Sequence, residues 1–274
     1  MTPPLPDRAA VPGNDPLELL DVAREAAAAG AAVLARRTTE GLNAVNKSAA
    51  GDWVTEFDTA AERAVREVLA RRRPQDTVTG EELGASVPDN ASGIRWSIDP
   101  LDGTTNFIRN IVYYATSVAA VNDGGVWLAG VVHAPALVRV YSAARGHGAW
   151  LAEHGSVRRL SGPDPERTGK LLGTGFSYDQ GVRAEQYTAL AGLAAGYADV
   201  RRLGSAALDL CMVADGTLDA YLERGLNEYD YAAGALIAEE AGVPVRRPGT
   251  PAGDAERLQA VTAAGAAVEG RFRR

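Results

Sequence analysis

The sequence contains very few residues of the types that most often bind transition metals or form covalent cross-links. Among its 274 residues there is a single cysteine, Cys211. One cysteine cannot form an intrachain disulfide, so we expect a reducing, cytoplasmic setting. The only histidines, His133, His147 and His154, lack metal-ligand spacing such as His-x-x-x-His. We therefore interpret them as structural or surface residues.

Long apolar runs and an excess of positive charge are also missing. No run of about 18 apolar residues is present to span a bilayer. Lys and Arg number 28 against 35 Asp and Glu, for a formal net charge of −7. This acidic balance argues against nucleic acid or a membrane as partner. It still permits a small phosphorylated metabolite, because bound cations can reverse the local charge of a site.

Three segments are predicted along the chain. Residues 1–14 are proline-rich and are expected to form a flexible tail. Residues 15–160 combine two helical patterns with several alternating strands and predict an α+β half. Residues 161–274 alternate strand and helix and predict an α/β half. The segment 159–169, which contains two prolines, is the predicted boundary.

Local signals place several elements more closely. Asp15 and Pro16 predict a helix start, and this helix should run to about Thr38. The turn Asn122-Asp123-Gly124-Gly125 predicts a β-hairpin. Ser205 predicts the cap of a helix through Ala214. A further helix is predicted over 229–241.

Several acidic residues share one kind of position, at the end of a strand or in the first turn of a helix. They are Asp58, Glu81, Glu82, Asp99, Asp102 and Asp230. Each alone has an ordinary explanation, since Asp beside a helix start is usually a cap and adjacent glutamates are usually surface charge. Together they require another explanation, because carboxylates that converge repel one another.

The stretch WSIDPLDGTTNF, residues 96–107, carries the strongest signal. Asp99 and Asp102 lie three apart after an apolar strand, and the intervening Pro100 stiffens the turn. Converging carboxylates suit a hard divalent cation such as Mg²⁺. Gly103, with the threonines that follow it, would place main-chain N–H groups as an anion site at a helix start. Metal ligands beside an anion site predict phosphate chemistry.

Four motifs carry a resemblance to a known family. DWVTEFD, GEE, DPLDGTTNF and the later YD resemble the inositol monophosphatase family of magnesium-dependent, lithium-sensitive phosphomonoesterases. The resemblance covers nearly the whole chain after the tail. It implies a layered αβαβα sandwich, usually a homodimer, and hydrolysis of a small polyol phosphate, by default myo-inositol 1-phosphate.

The resemblance also implies a set of metal ligands. Glu81, Asp99 and the main-chain carbonyl of Leu101 would hold one Mg²⁺. Asp99, Asp102 and Asp230 would hold a second, so that Asp99 bridges the two. A third, looser Mg²⁺ would contact Glu81 through waters. Lithium would compete at the second site.

Other residues are implied to handle water and substrate. Asp58 and Thr104 would orient and deprotonate the attacking water, and Glu82 would support the ligands from behind. The implied substrate contacts are Lys47, Asp102, Gly103, Thr104, Thr105, Ser205, Ala206, Glu223 and Asp230.

Three departures from the family pattern put the substrate in question. Tyr229 stands where the family generally has tryptophan, and residues 108–114 lack a proline commonly found there. Arg224 and Asn227-Glu228 fall beside the predicted ring site. A nucleotide or sugar phosphate, histidinol phosphate or a specialised biosynthetic intermediate therefore stay open as substrates, although Thr105 disfavours histidinol phosphate.

Two other functional classes fit the sequence less well. A binding or regulatory protein without turnover would not need the water-activating Asp58 and Thr104. A glycoside hydrolase needs two carboxylates flanking a sugar cleft, which suits a cluster of five or more acids poorly. Arg201 and Arg202, a short basic pair, are interpreted as solvated or interfacial, with contact to an anionic substrate as the alternative.

Overall fold

The computed structural model describes residues 14–37, 44–46, 53–247 and 260–264. The helices within these residues are α1 (Pro16–Leu34), α2 (Glu56–Arg72), α3 (Thr104–Ile108), α4 (Gln180–Leu193), α5 (Ala206–Ala214) and α6 (Glu228–Glu240). The strands are β1 (Ala44–Asn46), β2 (Trp53–Thr55), β3 (Thr77–Gly80), β4 (Gly84–Ser86), β5 (Ile94–Asp102), β6 (Ala115–Asn122), β7 (Trp127–Ala134), β8 (Arg139–Ala144), β9 (Ala149–Glu153), β10 (Ser156–Arg159), β11 (Leu171–Thr174), β12 (Asp199–Arg201), β13 (Ala220–Arg224), β14 (Val245–Arg246) and β15 (Ala260–Ala264).

Two large sheets organise the described chain. The first has the strand order β10-β9-β8-β7-β6-β5-β3-β4 and is antiparallel except where β3 runs parallel to β5. The second has the order β12-β11-β13-β15-β14, with β11 parallel to both of its neighbours. The carboxyl ends of parallel neighbours meet at one edge of a sheet, where ligands commonly bind.

Helices cover the sheets in alternating layers. Helices α1 and α2 pack on one face of the first sheet, and α5 and α6 lie between the two sheets. Strands β11 and β13 turn alternate residues to opposite faces. Tyr221 faces the central layer, whereas Leu172 and Leu222 face Leu193 of α4. The predicted αβαβα sandwich is therefore confirmed.

The central layer buries residues from both predicted halves in one core. Trp127 and Tyr141 of the first sheet lie in the same apolar cluster as Leu210 of α5 and Leu236 of α6. The linker between the sheets follows β10, and the division of the chain at 160/161 stays a prediction. No helix in the described part of the chain is long and apolar enough to cross a membrane.

The local predictions were largely correct. Asp15 caps α1 by accepting a hydrogen bond from the Leu17 N–H at 3.1 Å. That helix ends at Leu34, four residues before the predicted end. The hairpin between β6 and β7 is confirmed. Ser205 caps α5, which ends at Ala214 as predicted.

Candidate active site

One cavity, with a volume of about 470 Å³, lies where the carboxyl ends of β3 and β5 meet α3, α5 and α6. Gly80 at the end of β3 pairs with Ile98 of β5, so Glu81 and Asp99 begin side by side. Of the predicted site residues, the cavity is lined by Glu81, Asp99, Leu101, Asp102, Gly103, Thr104, Ala206, Glu223 and Asp230. The fold thus brings residues from all along the sequence to one place.

Strand β5 is irregular at the point where it carries the two aspartates. Its pairing with β6 shifts register between Asp99 and Asp102. A bulge of this kind bends the strand and redirects side chains. The Asp99 carboxylate accepts a hydrogen bond from the Leu101 N–H at 3.0 Å, which holds it inside the bulge. The predicted convergence of the two aspartates on one cavity therefore has a visible structural cause.

Gly103 closes this turn in a conformation that favours glycine. Its φ is 97°, and a Cβ placed there would lie 2.9 Å from the main-chain oxygen of Tyr113. A side chain would therefore clash with fixed backbone. The residue allows the chain to turn directly from β5 into α3, so that Thr104 opens the helix beside the aspartates.

Asp102 connects the first sheet to helix α5. One of its carboxylate oxygens accepts hydrogen bonds from the Ser205 hydroxyl and from the Ala207 N–H, both at 2.7 Å. Ser205 is only 1% exposed. The structure thus places Ser205 behind Asp102, whereas the neighbouring Ala206 lies on the cavity wall.

Asp230 is held in a similar way at the start of α6. One of its oxygens accepts a hydrogen bond from the Asn227 N–H at 2.6 Å. Glu228, in the same turn, forms an ion pair with Arg95 of β5 at 2.6 Å and accepts a hydrogen bond from the Trp127 indole at 3.3 Å. These contacts fix the start of α6, and with it Asp230, relative to the strand that carries Asp99.

Asp58 and Thr104 are in direct contact. The Thr104 hydroxyl lies 3.1 Å from one Asp58 oxygen and 3.0 Å from the Leu101 carbonyl. The other Asp58 oxygen accepts hydrogen bonds from the Thr55 N–H at 2.7 Å and its hydroxyl at 2.6 Å. Thr104 lines the cavity, and Asp58 is fully buried behind it.

The grouped carboxylates make one another hard to ionise. Burial raises the pKa of Asp99 well above its usual range, and the charges of Glu81, Asp102 and Asp230 add to the effect. Burial and the charge of Asp102 likewise raise the pKa of Asp230. The pKa of Asp102 is raised to about 7, chiefly by burial, although its hydrogen bonds from Ser205 and Ala207 oppose the rise. A bound cation would offset this repulsion.

The donor chemistry of the cavity fits a hard divalent cation. Asp99, Asp102 and Asp230 each have one oxygen anchored by a main-chain N–H, and the second makes no hydrogen bond to another described residue. In the described ranges, no group of three or more His, Cys, Asp or Glu side chains is arranged so that it could hold a metal ion by itself. Mg²⁺ does not require one, because it is commonly held by one or two carboxylates together with waters.

Glu62 is a residue of the site that the sequence analysis missed. Its buried carboxylate accepts hydrogen bonds from the Glu82 N–H at 2.7 Å and the Leu83 N–H at 3.2 Å, and pairs with Arg66 at 2.7 Å. It therefore holds the turn that presents Glu81. The available signal was a glutamate on the apolar face of α2, beside Ala61 and Val65.

Two glycines make room for carboxylates. A Cβ on Gly80 would lie 2.1 Å from a Glu62 oxygen, and one on Gly175 would lie 1.9 Å from a Glu223 oxygen. Glu223 also accepts a hydrogen bond from the Tyr221 hydroxyl at 2.5 Å. Gly175 belongs to a Gly-Thr-Gly stretch that does not match a dinucleotide-binding motif, and its role here is steric.

The remaining predicted residues lie off the cavity wall or outside the described chain. Lys47 lies outside the described residues. Thr105 and Glu82 do not line the cavity, although the charge of Glu82 contributes to raising the pKa of Asp58, whose main cause is burial. Arg202 and Arg224 do line the cavity. Arg202 is therefore placed where it can contact a substrate, which is one of the two interpretations of the basic pair.

Comparison with known proteins identifies the family of the chain. The family model described as "Inositol monophosphatase family" matches residues 15–269. The chain is 44% identical over 273 residues to "Inositol-1-monophosphatase SuhB" of Mycobacterium tuberculosis strain H37Rv, covering 94% of this chain and 93% of that protein. It is 38% identical over 227 residues to "Nus factor SuhB" of Pasteurella multocida, covering 82% and 83%.

A solved structure shares the whole architecture. The structure titled "Mycobacterium tuberculosis SuhB" superposes with a TM-score of 0.77 at 40% identity and covers 94% of this chain and 95% of its own. Family, relatives and fold agree, and the family generally uses a divalent metal. The protein is therefore a phosphoric monoester hydrolase that belongs to the inositol monophosphatase family.

Proposed function

We propose that the protein hydrolyses the phosphate monoester of a small polyol, by default myo-inositol 1-phosphate, in a Mg²⁺-dependent reaction. The observation that supports this most directly is the single cavity shared by Glu81, Asp99, Asp102 and Asp230, with the Thr104 hydroxyl beside them. The matching relative named inositol-1-monophosphatase supports the default substrate. Another metabolite phosphate is the alternative, because Arg224 and Asn227 line the cavity beside the predicted ring site.

The metal would be held by oxygen donors of this chain. Glu81, Asp99 and the Leu101 carbonyl would bind one ion, and Asp99, Asp102 and Asp230 a second, with a third held loosely near Glu81. When bound, the ions supply positive charge that stabilises phosphoryl oxygens and lowers the pKa of water. The hydrogen bonds to Asp99, Asp102 and Asp230 would keep each free oxygen in place for this purpose.

Asp58 and Thr104 would accept the proton of the attacking water. The Thr104 hydroxyl can donate to Asp58 across 3.1 Å while its oxygen accepts a hydrogen bond from water in the cavity. Burial raises the pKa of Asp58, which makes its carboxylate a stronger proton acceptor near neutral pH. Thr55 supports this carboxylate from the other side, so that only one of its oxygens faces Thr104.

Substrate contacts would come from both sides of the cavity. Gly103, Thr104 and Thr105 would offer N–H groups to the phosphate, and Lys47 would approach it as a positive charge. Glu223 would accept hydrogen bonds from ring hydroxyls, and Asp230 would face the ring. Ala206 would provide a main-chain contact, and Ser205 would support the cavity wall through its hydrogen bond to Asp102. We also expect the protein to act in the cytoplasm as a homodimer. Light scattering after size-exclusion chromatography tests the dimer through its molar mass.

The function is tested by measuring phosphate release from myo-inositol 1-phosphate with Mg²⁺, with EDTA, and in the Asp102→Asn variant. We expect release only with Mg²⁺, inhibition by lithium, and at least a hundredfold loss in the variant, since one predicted ligand oxygen is replaced by a neutral amide. Mg²⁺-independent release, or full activity of the variant, would contradict the proposal. A screen of phosphorylated metabolites then ranks the alternative substrates.

The raised carboxylate pKa values predict how stability depends on pH. Groups whose pKa is higher in the folded state stabilise the protein below their unfolded pKa, and this stabilisation is lost as pH rises through the folded pKa. For Asp102 that pH window runs from the ordinary aspartate pKa of 3.8 to its raised pKa of about 7. In EDTA we therefore expect the melting temperature to fall between about pH 4 and pH 8.

Mg²⁺ should reverse this loss, because it binds the ionised carboxylates. At pH 8 we expect saturating Mg²⁺ to raise the melting temperature by roughly 5 °C or more, and at pH 5 by much less. Scanning calorimetry at both pH values, with Ca²⁺-free buffers and EDTA as reference, provides the measurement. An equal effect of Mg²⁺ at both pH values would argue against binding at this cluster.

A further inference from the structure

Two arginines on the cavity wall lack acidic partners. Arg202 and Arg224 both line the cavity, and both are exposed. Among the described residues, neither guanidinium forms an ion pair or a side-chain hydrogen bond. The preceding residue, Arg201, does have an acidic partner, because it forms an ion pair with Asp199 at 2.6 Å. The donors of Arg202 and Arg224 are thus available to a ligand.

The fold places both arginines at one edge of the second sheet. Arg224 ends β13 and Arg202 directly follows β12, and these strands flank β11 on either side. All three run parallel, so their carboxyl ends open on the same edge. By the strand register, Arg202 is level with Leu222, two residues before Arg224. Two strand spacings and two residue rises separate the arginine backbones by roughly 12 Å, within the reach of two long side chains toward one anionic group.

The segments that carry the arginines are held in place. Gln186, a buried residue of α4, donates a hydrogen bond to the Arg224 carbonyl at 3.4 Å and accepts one from the Ser177 N–H at 2.8 Å. It thereby joins the end of β13 to the loop after β11. Gly204 has φ of 91°, and a Cβ there would lie 2.7 Å from the Arg202 guanidinium. Because Gly204 has no side chain, the Arg202 guanidinium can lie against the cavity wall.

The cavity wall carries both acidic and basic side chains. Five acids line it, namely Glu81, Asp99, Asp102, Glu223 and Asp230. A bound metal would neutralise the negative charge of the acids that bind it. Burial raises the pKa of Glu223, and the positive charge of Arg202 partly opposes that rise without any ion-pair contact. A polyol monophosphate would have its single anionic group at the metal and would leave both guanidinium groups without an anion.

We propose that Arg202 and Arg224 form a second anion subsite, which selects substrates carrying another anionic group besides the scissile phosphate. The substrate class is a small polyol or sugar with a second phosphate or a carboxylate. Guanidinium groups bind either anion through paired N–H donors. This inference rests on the proposed phosphatase function and narrows its substrate.

The test compares substrates that differ only by the second anion. Initial rates are measured with Mg²⁺ for myo-inositol 1-phosphate against myo-inositol 1,4-bisphosphate, and for glycerol 1-phosphate against 3-phosphoglycerate. The enzymes are the unmodified protein, Arg202→Gln, Arg224→Gln and the control Arg201→Gln. The first pair of substrates measures the preference for a second phosphate, and the second pair measures the preference for a carboxylate.

We expect the unmodified enzyme to prefer the member with two anions in at least one pair. Each of Arg202→Gln and Arg224→Gln should lower that preference roughly tenfold, mainly through KM, because the lost contact would be present before and during the chemical step. Arg201→Gln should retain it. High salt should reduce the preference in the unmodified enzyme.

Two results would overturn the proposal. One is a preference for the monoanionic member in both pairs, and the other is an equal loss on both members in the arginine variants. If Arg202→Gln also changes the oligomeric state, such an equal loss would assign Arg202 to an interface. Absence of phosphate release from every substrate would instead contradict the phosphatase function itself.

Discussion

Replacement of Glu81 by glutamine is expected to lower kcat by about a thousandfold or more while the protein stays folded. Glu81 lines the cavity immediately after β3, and its charge contributes to raising the pKa of Asp99, Asp102 and Asp230. The amide of glutamine keeps the size of the side chain but removes the negative charge that a metal ligand requires. Steady-state phosphate release and the melting temperature in EDTA give the two readouts.

Glu82→Gln provides the matched control for this prediction. The two glutamates are adjacent, but only Glu81 lines the cavity, and the Glu82 main chain is held by Glu62 at 2.7 Å whichever side chain it carries. We expect a loss of no more than about a hundredfold from Glu82→Gln, as for a residue that supports metal ligands. Equal losses in the two variants would contradict the assignment of Glu81.

Thr104→Val is expected to reduce kcat by roughly a hundredfold or more, because it removes the hydroxyl that joins Asp58 to the cavity. Valine keeps the branched shape of threonine and is compatible with the short helix α3. The Leu101 carbonyl, 3.0 Å from the hydroxyl, loses the same partner. Single-turnover rates at saturating Mg²⁺ separate the chemical step from substrate binding.

Thr104→Ser should recover most of that rate, because it restores the hydroxyl without the methyl group. The comparison of valine with serine distinguishes a role in proton transfer from one in packing. If serine were as slow as valine, the methyl group and not the hydroxyl would be important, and the proposed path from water to Asp58 would fail.

The parts of the site that lie close together in sequence could be predicted. The run from Asp99 to Thr104 carries its own turn, bulge and helix start, so its geometry depends mainly on neighbouring residues. The cap function of Ser205 and the hairpin at 122–125 were predictable for the same reason. Local signals of this kind do not depend on knowing the fold.

Contacts between distant residues were not predictable from local signals. Gly80 makes room for Glu62, 18 residues away, and Gly175 makes room for Glu223, 48 residues away. Neither glycine has a positive φ that would have identified it as a special turn position. Their importance depends on which helix or strand packs beside them, and only the folded structure supplies that information.

The role of Ser205 illustrates the same limit. Its identity as a helix cap follows from sequence, but its hydroxyl also donates to Asp102, 103 residues earlier in the chain. That contact joins α5 to the end of β5. The family resemblance implied a substrate contact at this position, whereas the fold shows a serine that supports an acidic side chain on the cavity wall.

The central claim is that carboxylates spread from Glu81 to Asp230 bind divalent cations at one place. Its most direct test is anomalous X-ray scattering from crystals of the protein soaked in Mn²⁺, which takes oxygen ligands as Mg²⁺ does. We predict at least two Mn²⁺ peaks within bonding distance of these residues, with Asp99 contacting both. Peaks elsewhere, or an Asp230 side chain turned away from the ions, would contradict the claim.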